Sequence, residues 1–343
     1  MQKRAIELVF QQRISGEESL ALSPGELDSE DANLNNFPYV FLRLNRPFRD
    51  IEYMYKARRF IKKSSDIDIV HVHGLPLMSL FLPKQVKGLL TVDYFRYRGS
   101  GNRFLHQLYL VALKKYTVIA CVSEACLNDF VEFYPSVKAT VIYNGVSSDQ
   151  REPQPDETAK ILNKYGLVHN NYVLYLGRVC EQKGSHLLAK IQEELSSLGG
   201  DLEMVAAGPL GQFGAILDSV PQKRDKNVKY LGAVHDNDVQ VLLHSARVFV
   251  LPTIRDEMFG MVIPEALAQG TPVVASRLGG IPEALGDGGY LFEVGDVKEC
   301  AQLIFNISED ASLRKRLSED GMRHIQKFSW AEISNCYLHS YKV

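Results

Sequence analysis

The sequence has no apolar run near the roughly 20 residues of a membrane-spanning helix; runs such as residues 108–113 and 248–251 fall far short of it. It opens on Met1-Gln2-Lys3-Arg4 and an amphipathic helical pattern, with no apolar secretion signal. Five cysteines, Cys121, Cys126, Cys180, Cys300 and Cys336, form no Cys-x-x-Cys pair, so reduced and mostly buried thiols are expected rather than a disulfide framework. No low-complexity tract interrupts the chain. These absences argue for a cytoplasmic protein and against a secreted or membrane-crossing one.

What is present is ordinary globular composition, 45% hydrophobic and 23% charged over 343 residues, enough for two domains each with its own core. The net charge of −2 conceals an asymmetry: residues 40–115 hold fifteen Lys or Arg against five Asp or Glu, and residues 151–343 hold twenty against twenty-five. The basic part is either an Arg-rich solvated surface or a face for anionic lipid or a phosphate-bearing acceptor. The latter would make the protein a peripheral partner at the inner face of a membrane. No nucleic-acid partner is indicated.

Strand and helix signals alternate along the whole chain. Helices are expected at 2–14, 49–63, 102–115 and 124–134, the last capped by Ser123, and strands at 19–23, 68–73, 87–93, 117–122 and 139–143. The polar run from Pro24 to Asn36 reads as a loop. A polar, proline-bearing stretch beginning at Ser147 reads as a linker. Strands then recur at 171–176, 202–206, 228–231, 248–251, 272–275 and 290–292, with helices starting near Gly184, Gly211, Asp236, Gly260, Ile281 and Val297. The final helices are expected at 310–328 and 330–341. The pattern predicts an α/β protein of two doubly wound, Rossmann-like parallel-sheet domains, with ligands at the carboxyl ends of the strands. The divisions are residues 1–146, a linker at 147–170, a second domain at 171–328 and a closing segment at 329–343.

The chemistry concentrates after two strands of the second domain. Residues 248–251 form a short apolar strand stopped by Pro252, and Gly260 and Pro264 mark the start of a helix. Amides near Met261 and Val262 would lack intrahelical acceptors and point outward. Glu257 and Glu265 lie on either side of them. Residues 177–184, Gly-Arg-Val-Cys-Glu-Gln-Lys-Gly, follow the first strand of that domain and open onto a helix. Arg178 and Lys183 would set fixed positive charge beside a helix amino end, a combination suited to a diphosphate. Glu257 and Glu265 also permit an acid/base pair of the glycoside-hydrolysis kind, and Glu265 alone could serve only the helix dipole. Asp66-Ile67-Asp68 has the form of a metal-binding Asp-x-Asp, but it precedes its strand and falls at the wrong end of a parallel sheet. His71 and His73 share one face of a strand. His71 reads as a buried, satisfied side chain, and His73, before Gly74, as the functional candidate.

Gly177-Arg178 with Lys183-Gly184, then Ala207-Gly208-Pro209-Leu210, Tyr230-Leu231-Gly232, the run from Glu257 to Ala266, Gly270 to Ala275, and Gly279-Gly280-Ile281-Pro282-Glu283 resemble the retaining glycosyltransferases of family 4, group 1, in order and spacing. The resemblance implies the GT-B fold, its two domains facing across a cleft. It also implies a nucleoside diphosphate sugar donor, a carbohydrate or lipid-linked acceptor, and a role in surface polysaccharide or glycolipid synthesis. It places Arg178 and Lys183 on the diphosphate, amides near Met261 and Val262 on its distal phosphate, Glu257 on sugar hydroxyls and Glu265 on the ribose, with Phe259 and Gly260 also among the donor-binding residues. Gly208, Leu231 and Gly232 would shape the base pocket, and His73 would lie over the donor sugar. No metal and no other cofactor is called for, because cations and amides can stabilise the departing diphosphate. Asn144-Gly145-Val146 is similar to the family's turn at the end of the first domain. The helix from Trp330 is similar to a segment that returns to that domain.

Two features depart from the family pattern. The family's opening strand and glycine-rich loop have no counterpart before the first helix, and Asp93 stands where a histidine is common. The reading is a metal-independent, retaining glycosyltransferase. Its alternative is an N-terminally shortened, weakly active or non-catalytic nucleotide-sugar-binding homologue.

Overall fold

The computed structural model describes residues 8, 12, 21–24, 39–42, 49–64, 67–93, 103–146, 152–211 and 227–342. It divides into two compact units, one of Met1–Gly145 with Trp330–Val343 and one of Val146–Ser329.

In the first unit, strands β1 (Ala21–Pro24) and β2 (Tyr39–Leu42) pair in parallel as a two-stranded sheet, with Ala21 opposite Tyr39. Four parallel strands follow in sequence order: β3 (Ile69–His73), β4 (Lys87–Val92), β5 (Val118–Cys121) and β6 (Thr140–Val141). Helix Arg49–Lys63 precedes β3, Arg103–Leu113 lies between β4 and β5, and Glu124–Phe133 between β5 and β6. Ser123 caps the third as expected, its Oγ accepting from the Cys126 amide. The closing helix Trp330–Tyr341 belongs to this unit, and its Trp330, Ile333 and Tyr337 pack with Leu8, Leu89, Ala120 and Ile142. That packing explains the Asn144-Gly145 turn, because a Cβ on Gly145 would lie 2.2 Å from the Trp330 indole.

The second unit holds a six-stranded, all-parallel sheet: β7 (Tyr172–Leu176), β8 (Glu203–Ala207), β9 (Lys229–Gly232), β10 (Val248–Leu251), β11 (Val273–Ser276) and β12 (Gly289–Phe292). Its order is β12-β11-β10-β7-β8-β9. Every residue of β7, β10 and β11 is buried, the signature of central strands covered on both faces. The order reverses between β7 and β10, so the crevice at their carboxyl ends is the topological switch point where such sheets bind ligands.

Two expectations need correction. The stretch read as a linker, residues 147–170, contains the helix Pro155–Tyr165. Its prolines suggested a break, yet Pro155 occupies the first helical turn, where its missing N–H costs nothing. Asp156 and Glu157 suit the amino end, and Gly166 ends the helix in the left-handed region at φ 60°. The helix buries Ile161 and Leu162, and Lys164 Nζ and Tyr165 OH donate to Asp238 Oδ2 at 2.6 and 2.7 Å. Strand β2, an aromatic and apolar run, was not anticipated at all. The helix expected near Gly211, the loop after Pro24 and most of the first helix fall outside the described residues, although Leu8 and Gln12 are helical. The expectation that the opening strand is missing likewise falls on residues near the chain start that are not described.

Candidate active site

Backbone contacts between loops build the site at the switch point. After β7, Tyr175 OH donates to the Arg178 carbonyl at 2.6 Å, and the Gly177 amide donates to Ala207 O at 3.0 Å. Val179 N donates to Pro209 O and Gly211 N to Val179 O, tying this loop to the one after β8. Gly208 N in turn donates to Gly232 O at 2.8 Å, and Tyr230 OH donates to Gly208 O at 2.7 Å. Gly208, after β8, and Leu231 and Gly232, at the end of β9, all expected around the base, are therefore joined at neighbouring strand ends. A Cβ on Gly232 would meet no atom within 4 Å, so open space lies beside it.

The loop after β7 is also fastened to the loop after β10. Residues Glu181–Lys183 form a single 3-10 turn closed by Gly184 at φ 70°. Gly184 has no substitute, since a Cβ there would stand 1.7 Å from the Pro252 carbonyl oxygen. Ile254 N donates to Gln182 O at 3.1 Å, completing the junction. Across it, Lys183 Nζ reaches Glu257 Oε2 at 2.5 Å, with the two side chains only 18% and 15% exposed. The other carboxylate oxygen, Oε1, accepts from the Gly260 amide at 3.1 Å. Arg178, on the same loop after β7, is exposed.

Residues whose part was not foreseen hold Glu257 in place. Asp256 adopts φ 46°, a left-handed conformation sparsely populated outside glycine and of the sort that collects at functional loops. Gly279 and Gly280 lie against the backbone of residues 257 and 258: Cβ atoms on them would come within 2.0 Å of Glu257 O and Met258 O. Gly280 N donates to Glu257 O at 3.0 Å. The sequence signal was the Gly-Gly pair itself, quoted as a motif without its contact.

Helix Val262–Ala268 begins immediately afterwards, with Phe259 and Gly260 buried before it and Glu265 in its first turn. Ile263 N donates to Gly260 O and Glu265 N to Met261 O. The Met261 and Val262 amides have no acceptor among the described residues, as a helix start predicts. One crevice edge thus carries a lysine–carboxylate pair, an exposed arginine and two outward amides. It can accept an anion with two or more oxygens.

His73 belongs to the first unit, at the end of β3. Its ring stacks on His71 with centroids 4.2 Å apart. His71 is the satisfied histidine expected there: Nδ1 lies 2.9 Å from Tyr341 OH and Nε2 2.7 Å from Thr91 Oγ1, which is itself 2.9 Å from Tyr337 OH. Gln12 Nε2 donates to Tyr341 OH at 2.9 Å. Burial, reinforced by the neighbouring His73, holds the His71 pKa well below the ordinary value, so this imidazole is neutral. Asp68 sits before β3, at its amino end, and Asp66 is outside the described residues.

Two family models match nearly the whole chain: glycosyltransferase family 4 over residues 5–150 and glycosyl transferases group 1 over residues 157–324. The chain belongs to the group 1 glycosyltransferases of family 4. Relatives of this glycosyltransferase include the O-antigen chain mannosyltransferase B of Escherichia coli, 27% identical over 70% of this chain and 64% of that one. An uncharacterized glycosyltransferase of Methanocaldococcus jannaschii is 27% identical over 89% of this chain and 83% of its own length. This chain therefore spans just under two thirds of the first relative and more of the second. Among solved structures, a glycosyltransferase from Rickettsia africae superposes with a TM-score of 0.78 at 20% identity, covering 99% of this chain and 93% of that one. Anabaena HepE in complex with UDP-glucose gives 0.78 at 19% identity, covering 99% and 94%. The fold is GT-B, as the motifs implied. Among the described residues no helix is long and apolar enough to cross a membrane.

Proposed function

We infer that this glycosyltransferase moves a sugar from a nucleoside diphosphate donor to a carbohydrate or lipid-linked acceptor, with retention at the anomeric carbon and without a metal or other cofactor. The observation that carries the reading is Lys183 held against Glu257 beside the Met261 and Val262 amides, at the switch point of the sheet. Breaking the anomeric bond leaves a diphosphate that gains negative charge. Preorganised cations and amides aimed at that charge stabilise the transition state more than the ground state. Arg178 and Lys183 would take the diphosphate, and the Met261 and Val262 amides its distal phosphate. Once Lys183 turns to phosphate, the Glu257 carboxylate is available to sugar hydroxyls. Glu265 would accept from the ribose, and Gly208, Leu231 and Gly232 would border the base. His73 enters as the group that donates to a sugar hydroxyl or to the departing phosphate.

Two relatives are named for O-antigen chain and capsular polysaccharide synthesis, which supports assembly of a surface polysaccharide or glycolipid. The test is release of nucleoside diphosphate from a panel of uridine, guanosine and adenosine diphosphate sugars, with and without chelator, and with the product anomer read by NMR. Turnover should survive the chelator, retain configuration and vanish in Lys183→Ala. Donor binding without turnover across acceptors would refute the catalytic reading, and an inverted product would refute retention.

A further inference from the structure

Four segments of the first unit meet around His71, and the protons there have one arrangement. Gln12 Nε2 donates to Tyr341 OH at 2.9 Å. An amide nitrogen cannot accept, so the Tyr341 oxygen takes that bond and leaves its own proton for His71 Nδ1, 2.9 Å away. Burial pushes the Tyr341 phenol pKa up, so the proton stays on it. His71 is neutral, and with Nδ1 accepting, its single proton sits on Nε2 and is donated to Thr91 Oγ1 at 2.7 Å. Thr91 Oγ1 is 2.9 Å from Tyr337 OH, where either hydroxyl can be the donor, so that end of the network fixes no tautomer. The decision comes from Gln12 through Tyr341.

The same contacts set the plane of the ring. Bonds at both nitrogens oppose its rotation, and Tyr337 tilts against it with centroids 4.6 Å apart. Tyr337 and Tyr341 stand four residues apart in the closing helix, one turn above the other on one face. His73, two residues on in β3 and so on the same face of the strand, lays its ring on that of His71 at 4.2 Å with only 25° between the planes. The plane of His73 therefore follows that of His71. Thr91 fastens the strand exit as well: it is the register partner of His73, and its carbonyl accepts from the Gly74 amide at 3.0 Å.

We propose that Tyr341 is a positioning residue for glycosyl transfer: with Gln12 behind it, it fixes the tautomer and plane of His71, and the stacked His71 ring aims the His73 imidazole. The inference rests on the reading of His73 as the group that donates to a sugar hydroxyl or to the departing phosphate. The test compares Tyr341→Phe with Tyr337→Phe in the full chain. Each deletes one hydroxyl from the same helix face, so a structural role alone would lower their melting temperatures and rates alike. Proton–nitrogen correlation spectra of the histidine-labelled protein should show His71 as the Nε2-protonated tautomer in the wild type and in Tyr337→Phe. In Tyr341→Phe they should show a mixture of tautomers and displaced His73 resonances. With the diphosphate sugar that the wild type turns over best, kcat should fall about tenfold in Tyr341→Phe while KM for the donor holds, because aim is lost and binding is not. His73→Ala should lose the 10²–10⁴-fold or so that positioned proton transfer contributes. Adding Tyr341→Phe to it should cost nothing more, since the two act through one ring. An unchanged His71 tautomer in Tyr341→Phe, equal losses of rate in the two tyrosine variants, or a further loss on the His73→Ala background would overturn the positioning role and leave the reading of His73 standing. His73→Ala at the wild-type rate would overturn that reading and the positioning role with it.

Discussion

Replacing Glu257 by Gln should make a nucleoside diphosphate bind more tightly while slowing transfer. Lys183 Nζ is engaged by Glu257 at 2.5 Å, so an arriving diphosphate must compete with a carboxylate for its cation and also approach that carboxylate's charge. Two unit charges about 6 Å apart at an effective dielectric near 20 repel by roughly 3 kcal/mol. Residual solvent at the pair and the Gly260 amide on Oε1 reduce this by about half, to a gain near 1.4 kcal/mol, or about tenfold in Kd. The glutamine keeps an oxygen for that amide, so the loop should hold its shape. Under the proposed role of Glu257 as acceptor from sugar hydroxyls, transfer should fall by about 10²–10³. Lys183→Ala must move both quantities the same way, weakening the diphosphate by roughly 10–150-fold as a charge-assisted hydrogen bond is lost. Calorimetry with nucleoside diphosphate and a coupled assay for its release separate the two. If Glu257→Gln weakens the diphosphate as Lys183→Ala does, Glu257 is not the competitor that the geometry makes it, and the reasoning fails.

Two further outcomes test the framework around the site. His71 is neutral in the fold, with a pKa far below its unfolded value, so the unfolded chain binds the extra proton first. Its stabilisation is complete above about pH 6.5 and should fall by about 1.4 kcal/mol per pH unit as acid is added, until the folded pKa is reached. Denaturant melts across that range should show the slope, and His71→Gln should flatten it; an unchanged slope refutes the assignment. Gly184→Ala should destabilise the second unit by about 2 kcal/mol or more, through the left-handed backbone and the clash at Pro252 O, and should cost diphosphate affinity by displacing Lys183. An alanine variant with wild-type melting temperature and affinity would contradict that packing.

What could be read in advance follows what is local. Residues 248–251 were legible to the residue because a fully buried central strand must be short, apolar and β-branched. The closing helix from Trp330 to Tyr341 was equally plain from its periodicity. The helix Pro155–Tyr165 was lost because proline terminates most helices and begins some, and only its placement in the first turn distinguishes the two. Strand β2 was lost because Pro38 directly before it reads as a continuation of the preceding loop. At the site, residue types and order pointed to an anion. The contact between Lys183 and Glu257, seventy-four positions apart, depends on two loops meeting through Gly184 and Ile254, and no local signal encodes that meeting.

Gly279 and Gly280 carry that dependence furthest. Neither has a side chain to offer a sugar or a phosphate, yet the main chain of Glu257 and Met258 rests on them with no room for a methyl group. A scan that scores residues only by lost activity would rank these two beside Lys183 and misread them as contact residues. They act as a template: the shape of one strand's exit is copied, atom against atom, into the placement of its neighbour's carboxylate. Variation in what this enzyme family accepts is therefore expected around the pair, on the side chains it leaves free, while the pair stays bare.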